Sequence, residues 1–168
     1  MAMQQANRDY KNGTAFMAPV LLVVLVIFGY IITEIVDSLW FKPWLLTVGV
    51  FYWTLYCPRS IPIWFALILG LLEDGLSGTP FGLYGIGILL MHYLTYHQRQ
   101  SLVHSPYTMV FTGFLINSFV VNLVMALIMW GVGLPLFTWS IMSWLTTAFM
   151  FIPVVTLFGY IRQRMMKD

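Results

Sequence analysis

Residues 70–82 read GLLEDGLSGTPFG and place two acidic side chains, Glu73 and Asp74, between apolar runs. The whole chain is 60% hydrophobic and 8% charged, whereas a soluble domain carries about 25% charged residues. So few charges cannot cover a water-facing surface, and we therefore expect an integral membrane protein. An acid in the centre of a membrane helix costs about 2.5–3.5 kcal/mol, so these two carboxylates should point inward and be hydrogen-bonded.

The apolar runs predict an all-α protein, because about 20 apolar residues are enough for a helix to cross a bilayer. Short breaks rich in proline and glycine separate the runs, and no linker is long enough to divide the chain into two domains. We therefore predict one six-helix transmembrane domain over 1–168. The predicted spans are about 16–36, 39–57, 61–76, 81–97, 107–131 and 139–161.

The basic residues predict the orientation of the bundle. If both termini are cytoplasmic, only Lys42 lies outside, which is a strong positive-inside pattern. The seven inner basic residues are Arg8, Lys11, Arg59, Arg99, Arg162, Arg164 and Lys167. Tryptophans at the outer helix ends (Trp40, Trp44, Trp130 and Trp139) are typical of an interfacial aromatic belt. The sequence thus predicts a multi-pass membrane protein with both termini in the cytoplasm.

The segment 70–82 predicts a turn below the outer surface. A helix that starts near Ile61 raises Asp74 by about 20 Å, roughly 10 Å short of the far edge of the apolar core. The third and fourth spans are both short, and irregular backbone at that depth must be packed in protein or line a wet cavity. We expect Asp74 to accept hydrogen bonds from amides of its own turn, with Glu73 nearer to solvent or a partner. Direct contact with a partner or a solute, and proton chemistry, are the alternatives for these acids.

Small residues around the acids suit such a turn. Gly75 and Gly78 are candidates for positive φ, and Pro80 should stop the third helix. Further glycines should allow close approach of helices: Gly70, Gly78, Gly82, Gly85 and Gly87. Ser77 lies in the same turn.

Polar residues on the last two predicted spans form a second set of candidates. They are Asn117, Ser118, Asn122, Ser143 and Thr147. Ser118 and Asn122 are four residues apart and share a helix face, as do Ser143 and Thr147. Such stripes usually join neighbouring helices by hydrogen bonds, and a solute-lined cavity is the alternative. His92 is a candidate for a buried hydrogen bond.

The sequence carries four short elements: Lys42-Pro43, Tyr52-Trp53, Pro58-Arg59 and a run of Gly70, Asp74, Ser77, Gly78 and Gly82. With these elements, the segment 51–99 resembles the MreD family of rod-shape-determining membrane proteins. Relatives often carry an acid in the fifth span, where this chain has Asn117 and Asn122. The length and the basic C-terminal tail agree with the family over the whole chain.

The resemblance implies a non-enzymatic scaffold of the bacterial cell-wall elongation machinery, located in the inner (plasma) membrane. Such proteins bind the single-span protein MreC and help to position or activate the RodA polymerase with its transpeptidase, linked indirectly to MreB. The family's fold is similar to the six-helix substrate-binding subunits of energy-coupling-factor transporters. We expect no cofactor and no metal.

Two other function classes stay open at this point. A vitamin-binding transporter subunit shares the expected fold, but its A-x-x-x-A docking pattern is missing from the first span, where Ala15 and Ala18 have another spacing. An intramembrane protease needs paired aspartates or a serine–histidine dyad, and only Asp74 or Ser77 with His92 could supply one. A net charge of +2 without a basic patch argues against nucleic acid as a partner.

Overall fold

The computed structural model describes residues 19–31, 43–77, 80–131 and 137–165. Every regular element in these ranges is helical. The helices are α1 (Pro19–Ile31), α2 (Leu45–Tyr56), α3 (Ile63–Ser77), α4 (Leu83–Leu102), α5 (Tyr107–Gly131) and α6 (Phe137–Met165), with a short 3₁₀ helix at Pro58–Ser60.

The helix α2 lies at the centre of the bundle. Every residue from Leu45 to Leu55 is buried, and a helix that is apolar on all sides is expected to be surrounded by other helices. It packs against α4, α5 and α6, and Gly49 brings it close to Leu22 and Leu25 of α1. An aromatic layer of Phe51, Phe114 and Phe151 joins α2, α5 and α6, with ring centroids 4.3 to 6.0 Å apart.

Helices that follow one another in the chain, from α2 to α6, alternate in direction. The helix α2 is parallel to α4 and to α6, because later residues of α2 contact later residues of each partner. The contacts with α4 are Trp44 with Tyr84 and Thr54 with His92, and those with α6 are Trp44 with Thr147 and Trp53 with Phe158. Contacts of α3 with α4 and of α5 with α6 run in opposite order, so these pairs are antiparallel: Asp74 with Gly82, Gly70 with Gly85, Ser118 with Trp144, and Phe114 with Phe151.

Two described segments are long and apolar enough to cross a bilayer. They are α5, Tyr107–Gly131, with a mean hydropathy of 2.0, and the part Ile141–Ile161 of α6, with a mean hydropathy of 1.9. The helices α1 and α2 are apolar but shorter within the described residues. Much of the large apolar side-chain surface of α1, α3, α5 and α6 is exposed, which suits contact with lipid.

Two helices differ in extent from the spans predicted for them. The second span was predicted from residue 39, but α2 begins at Leu45, since Pro43 has no N–H for a helix and only a turn bond joins Leu45 N to the Pro43 carbonyl. The fourth span was predicted to be short and to end at residue 97, yet α4 continues to Leu102. Glutamine and arginine at 98–100 are good helix formers despite their polarity.

Candidate functional site

The carboxylate of Asp74 joins the end of α3 to the start of α4. Its Oδ2 accepts hydrogen bonds from the backbone N–H of Gly82 at 2.9 Å and of Gly85 at 3.4 Å, and its Oδ1 accepts one from Tyr84 at 2.9 Å. The side chain is 1% exposed. The expectation that Asp74 bonds amides of its own turn agrees with this geometry.

The bonded amides are the ones that α4 cannot satisfy itself. The first N–H groups of a helix have no intrahelical acceptor, and they form its positive end. A carboxylate placed there gains from both effects, because a charged acceptor strengthens each bond. The negative charge of Asp74 therefore stabilises the α3–α4 connection, which we call the α3–α4 hairpin (residues 63–102).

The turn before α4 depends on Gly82. Its φ of +96° and ψ of −10° are the values of the third residue in a type II turn, a position that favours glycine. The Leu83 N–H donates to the Pro80 carbonyl at 3.2 Å and closes this turn. The prediction of positive φ at Gly75 was wrong, since Gly75 lies inside α3, which continues to Ser77. Gly78 lies outside the described residues.

The backbones of α3 and α4 are almost in contact at Gly70 and Gly85. A Cβ atom built on Gly70 would lie 2.6 Å from the Cα of Gly85 and 3.0 Å from the carbonyl oxygen of Tyr84. No side chain fits in that space. Together with Asp74 one turn further along α3, this contact holds α3 and α4 close together.

Glu73 is directed to a different partner. It is half-buried, and its Oε2 accepts a hydrogen bond of 2.7 Å from the indole N–H of Trp44. Consecutive residues of a helix differ by about 100° in direction, so the two acids reach separate groups. Glu73 is thus less buried than Asp74, as expected, but it is engaged within the chain.

Trp44 ties the hairpin to the rest of the bundle. It is 5% exposed, its backbone N–H donates to Thr147 Oγ1 of α6 at 2.8 Å, and its ring lies edge-on to Tyr84 of α4 with centroids 5.1 Å apart. It also fills the space above Gly87, where a Cβ would lie 2.5 Å from its ring. The prediction that Trp44 belongs to an interfacial belt was therefore wrong.

Sequence reasoning had no signal for this role of Trp44. Its partners come from α3, α4 and α6, and no spacing along the chain relates them. Trp130, by contrast, is largely exposed at the end of α5, as a belt residue would be. Of the other two belt candidates, Trp40 lies outside the described residues, and the structure describes only the helical backbone at Trp139.

A small pocket lies beside Glu73. Its volume is about 10 Å³, which is enough for one water molecule. It is lined by Val26, Gly29, Tyr30, Pro43, Glu73, Leu76 and Ser77. Ser77, predicted as part of the turn, thus lies at the end of α3 against this pocket, together with Pro43 of the predicted family motif.

The polar residues of α5 and α6 join helices in two places. The indole N–H of Trp144 donates to Ser118 Oγ at 3.1 Å, and Thr147 connects α6 to Trp44 while donating to the Ser143 carbonyl at 2.7 Å. Asn122 bonds within its own helix, to the Ser118 carbonyl at 3.0 Å.

Asn117 differs from the other polar residues of α5. It is buried, and its Nδ2 has no hydrogen-bond partner among the described residues. The same holds for Thr47 Oγ1 and Trp53 Nε1 of α2.

The remaining motif residues lie apart from the hairpin. Tyr52 and Trp53 are buried in an aromatic cluster with Phe158 of α6. Pro58 starts the 3₁₀ helix that follows α2, and Arg59 continues it. Lys42 lies outside the described residues.

His92 has the buried hydrogen bond that the sequence suggested. Its Nδ1 lies 2.9 Å from Thr54 Oγ1, and both side chains are buried between α4 and α2. Ser77 and His92 lie at different depths in the bundle, since Ser77 ends α3 next to the start of α4 whereas His92 lies in the middle of α4. The geometry therefore does not bring them together as a dyad.

Comparison with known families identifies the family of this chain. The family model described as rod shape-determining protein MreD matches residues 10–164. The chain belongs to the MreD family. The site formed by Asp74, Gly82 and Gly85 lies within the matched residues of this membrane-protein family. Membership of the family supports a role in determining rod shape. Neither a curated protein nor a solved structure shows significant similarity to the chain.

Proposed function

We propose that this MreD-family protein is a non-enzymatic scaffold of the bacterial elongation machinery. It binds a single-span MreC-like protein and helps to position or activate peptidoglycan synthases, namely a RodA-type polymerase with its transpeptidase, and it is linked indirectly to MreB. The family assignment supports the role in cell shape. The proposed partners are those that the resemblance of the sequence to that family implies.

The observation that carries the proposal is the bonding of Asp74. Both carboxylate oxygens accept backbone N–H groups of α4, so this buried charge fixes the geometry of a helix pair. The contact of Gly70 with Gly85 adds to that rigidity. A rigid hairpin in a membrane protein is well suited to present a surface to another transmembrane helix, because little ordering is needed when the partner binds.

The hairpin carries an apolar surface for such a partner. Ile68, Leu72 and Leu76 are exposed and recur every four residues, so they share one face of α3. Phe81, in the turn that follows, is 84% exposed. We assign this surface, which we call the α3 stripe (Ile68, Leu72, Leu76 and Phe81), to the transmembrane helix of the MreC-like partner.

The proposal includes six spans with both termini in the cytoplasm, in a bundle similar to the substrate-binding subunits of energy-coupling-factor transporters. The alternating directions of the described helices support it, because each helix then crosses the membrane opposite to the previous one. The basic residues support it as well, since seven of the eight Lys and Arg fall on one side in this topology.

The first test is co-purification in detergent with the MreC-like protein of the same cell, with a thermal-shift screen of vitamin-like compounds on the same sample. We expect stable one-to-one or two-to-two capture without any ligand effect. Absence of capture, combined with stabilisation by one such compound, would contradict the scaffold and favour a solute-binding subunit.

Two pairs of variants locate the surface. Asp74→Asn should weaken capture more than Glu73→Gln, because only the first change loosens the hairpin. Phe81→Ala should weaken capture, whereas Phe149→Ala, which removes a similarly exposed ring from α6, should not. If all four variants capture the MreC-like protein equally well, the hairpin is not part of the interface.

A further inference from the structure

A second, larger pocket lies at the opposite end of the bundle from the α3–α4 turn. It is an open depression with a volume of about 530 Å³. It is lined by Pro58, Tyr96, His97, Arg99 and Gln100. Pro58 follows α2, and the other four residues belong to the last turns of α4, so we call it the α2–α4 end pocket.

Arg99 is held in place at this pocket. Its Nε donates a hydrogen bond of 2.8 Å to the carbonyl of Leu55. Leu55 is in the last turn of α2, where carbonyl groups have no intrahelical donor, so Arg99 both satisfies the helix end and complements its negative dipole. The guanidinium has five N–H donors, and Nε uses one of them. Four remain on the two terminal nitrogens.

The lining of the pocket favours an anion. Arg99 contributes a permanent positive charge, and Tyr96, His97 and Gln100 each contribute a side chain that can donate a hydrogen bond. None of the described residues that line it is acidic. A phosphate group, with several acceptor oxygens and negative charge, fits this set of donors.

Exposed aromatic residues place the pocket at the level of lipid headgroups. Tyr93 and Tyr96 of α4 are exposed, and so is Trp64 in the first turn of α3. Because α3 and α4 are antiparallel and meet at Gly70 and Gly85, the start of α3 lies alongside the second half of α4. Tyrosine and tryptophan concentrate at the membrane–water interface, and basic pockets between membrane helices bind anionic headgroups.

We propose that the α2–α4 end pocket binds the phosphate of an anionic phospholipid. The inference requires only that the bundle is embedded in a membrane, so it stands apart from the scaffold proposal. A soluble phosphate ester offers the same chemistry, and the test therefore includes both sources.

The experiment uses the full chain in detergent with three separate additions: phosphatidylglycerol, phosphatidylcholine and free glycerol phosphate. Retention of lipid is measured by native mass spectrometry, and stabilisation by thermal unfolding. The main variant is Gln100→Glu, which adds a negative charge to the pocket and leaves the Arg99–Leu55 bond intact. The matched control is Gln163→Glu, the same change at an exposed position of α6.

We expect the original chain to retain phosphatidylglycerol in preference to phosphatidylcholine, and Gln100→Glu to reduce that retention about five-fold, the effect of one charge near an anionic surface. Gln163→Glu should retain as much as the original chain. Arg99→Gln should lose retention too, although it also removes the cap of α2. Equal retention by Gln100→Glu, or equal retention of both lipids, would overturn the proposal. Stabilisation by glycerol phosphate but by neither lipid would show that the bound phosphate belongs to a soluble ester, and it would overturn the proposal of a phospholipid.

Discussion

Replacing Asp74 with asparagine keeps the shape of the side chain and removes its charge. The amide group has one acceptor oxygen where the carboxylate has two. If that oxygen takes the place of Oδ2, the bonds to Gly82 and Gly85 survive as weaker neutral bonds, and the Tyr84 N–H then faces an NH₂ group. One charge-assisted bond is lost and one buried donor is left without an acceptor.

The size of the effect follows from these losses. A hydrogen bond to a charged group contributes about 1.5–3 kcal/mol, and an unsatisfied buried donor costs about 1–3 kcal/mol. The neutral side chain is easier to bury, which offsets part of the loss. We expect Asp74→Asn to lower the free energy of unfolding by about 2 kcal/mol, close to a 30-fold change in the folding equilibrium.

The assay is unfolding of the purified chain in mixed micelles, by heat and by titration with a denaturing detergent. A loss of this size lowers the Tm by about 4–8 °C in a chain of this length. Glu73→Gln is the matched control, because the glutamine amide oxygen still accepts the Trp44 indole N–H, and it should cost less than about 1 kcal/mol. If Asp74→Asn is as stable as the original chain, or no worse than Glu73→Gln, the carboxylate does not hold the hairpin.

Three further substitutions test the same region by the same unfolding assay. Gly70→Ala should destabilise by about 1–3 kcal/mol, because its Cβ would lie 2.6 Å from the Gly85 Cα. Gly75→Ala, in the same helix but with no atom within 4 Å of its Cβ, should raise the free energy of unfolding by about 0.5–1 kcal/mol. Similar effects of the two substitutions would refute the close contact of Gly70 with Gly85. Trp44→Phe removes the indole N–H and should cost about 1.5–3 kcal/mol, so an unchanged Tm would mean that the bond to Glu73 contributes nothing.

The bonding of Asp74 was predictable from the sequence because the physics leaves few choices. A carboxylate surrounded by apolar residues needs donors, and the nearest unsatisfied donors are the amides at the start of the next helix. The close approach at Gly70 followed from similar reasoning, since a small residue in a membrane helix often marks a contact between backbones.

The parts that sequence reasoning missed depend on distant residues or on local propensity. The burial of Trp44 requires Thr147 from the far end of the chain. The length of α4 was underestimated because polar residues were read as a break, although they favour helix and Arg99 bonds back to α2. Gly75 was assigned to the turn because glycine is common there, but Gly82 alone has positive φ among the described residues.

The hydrogen bonds of Asp74 and the bond from Trp44 to Thr147 can form at different times during synthesis. The bonds of Asp74 join residues 8 to 11 positions apart, so the hairpin can be complete as soon as α4 has left the ribosome. The bond from Trp44 to Thr147 spans 103 positions, which corresponds to roughly 5–20 s of translation at about 5–20 residues per second. In that interval the backbone N–H of Trp44 has no Thr147 to bind. The arrival of α6 is therefore the step that closes the bundle, and a nascent chain that ends before α6 would carry a finished hairpin on an unfinished protein.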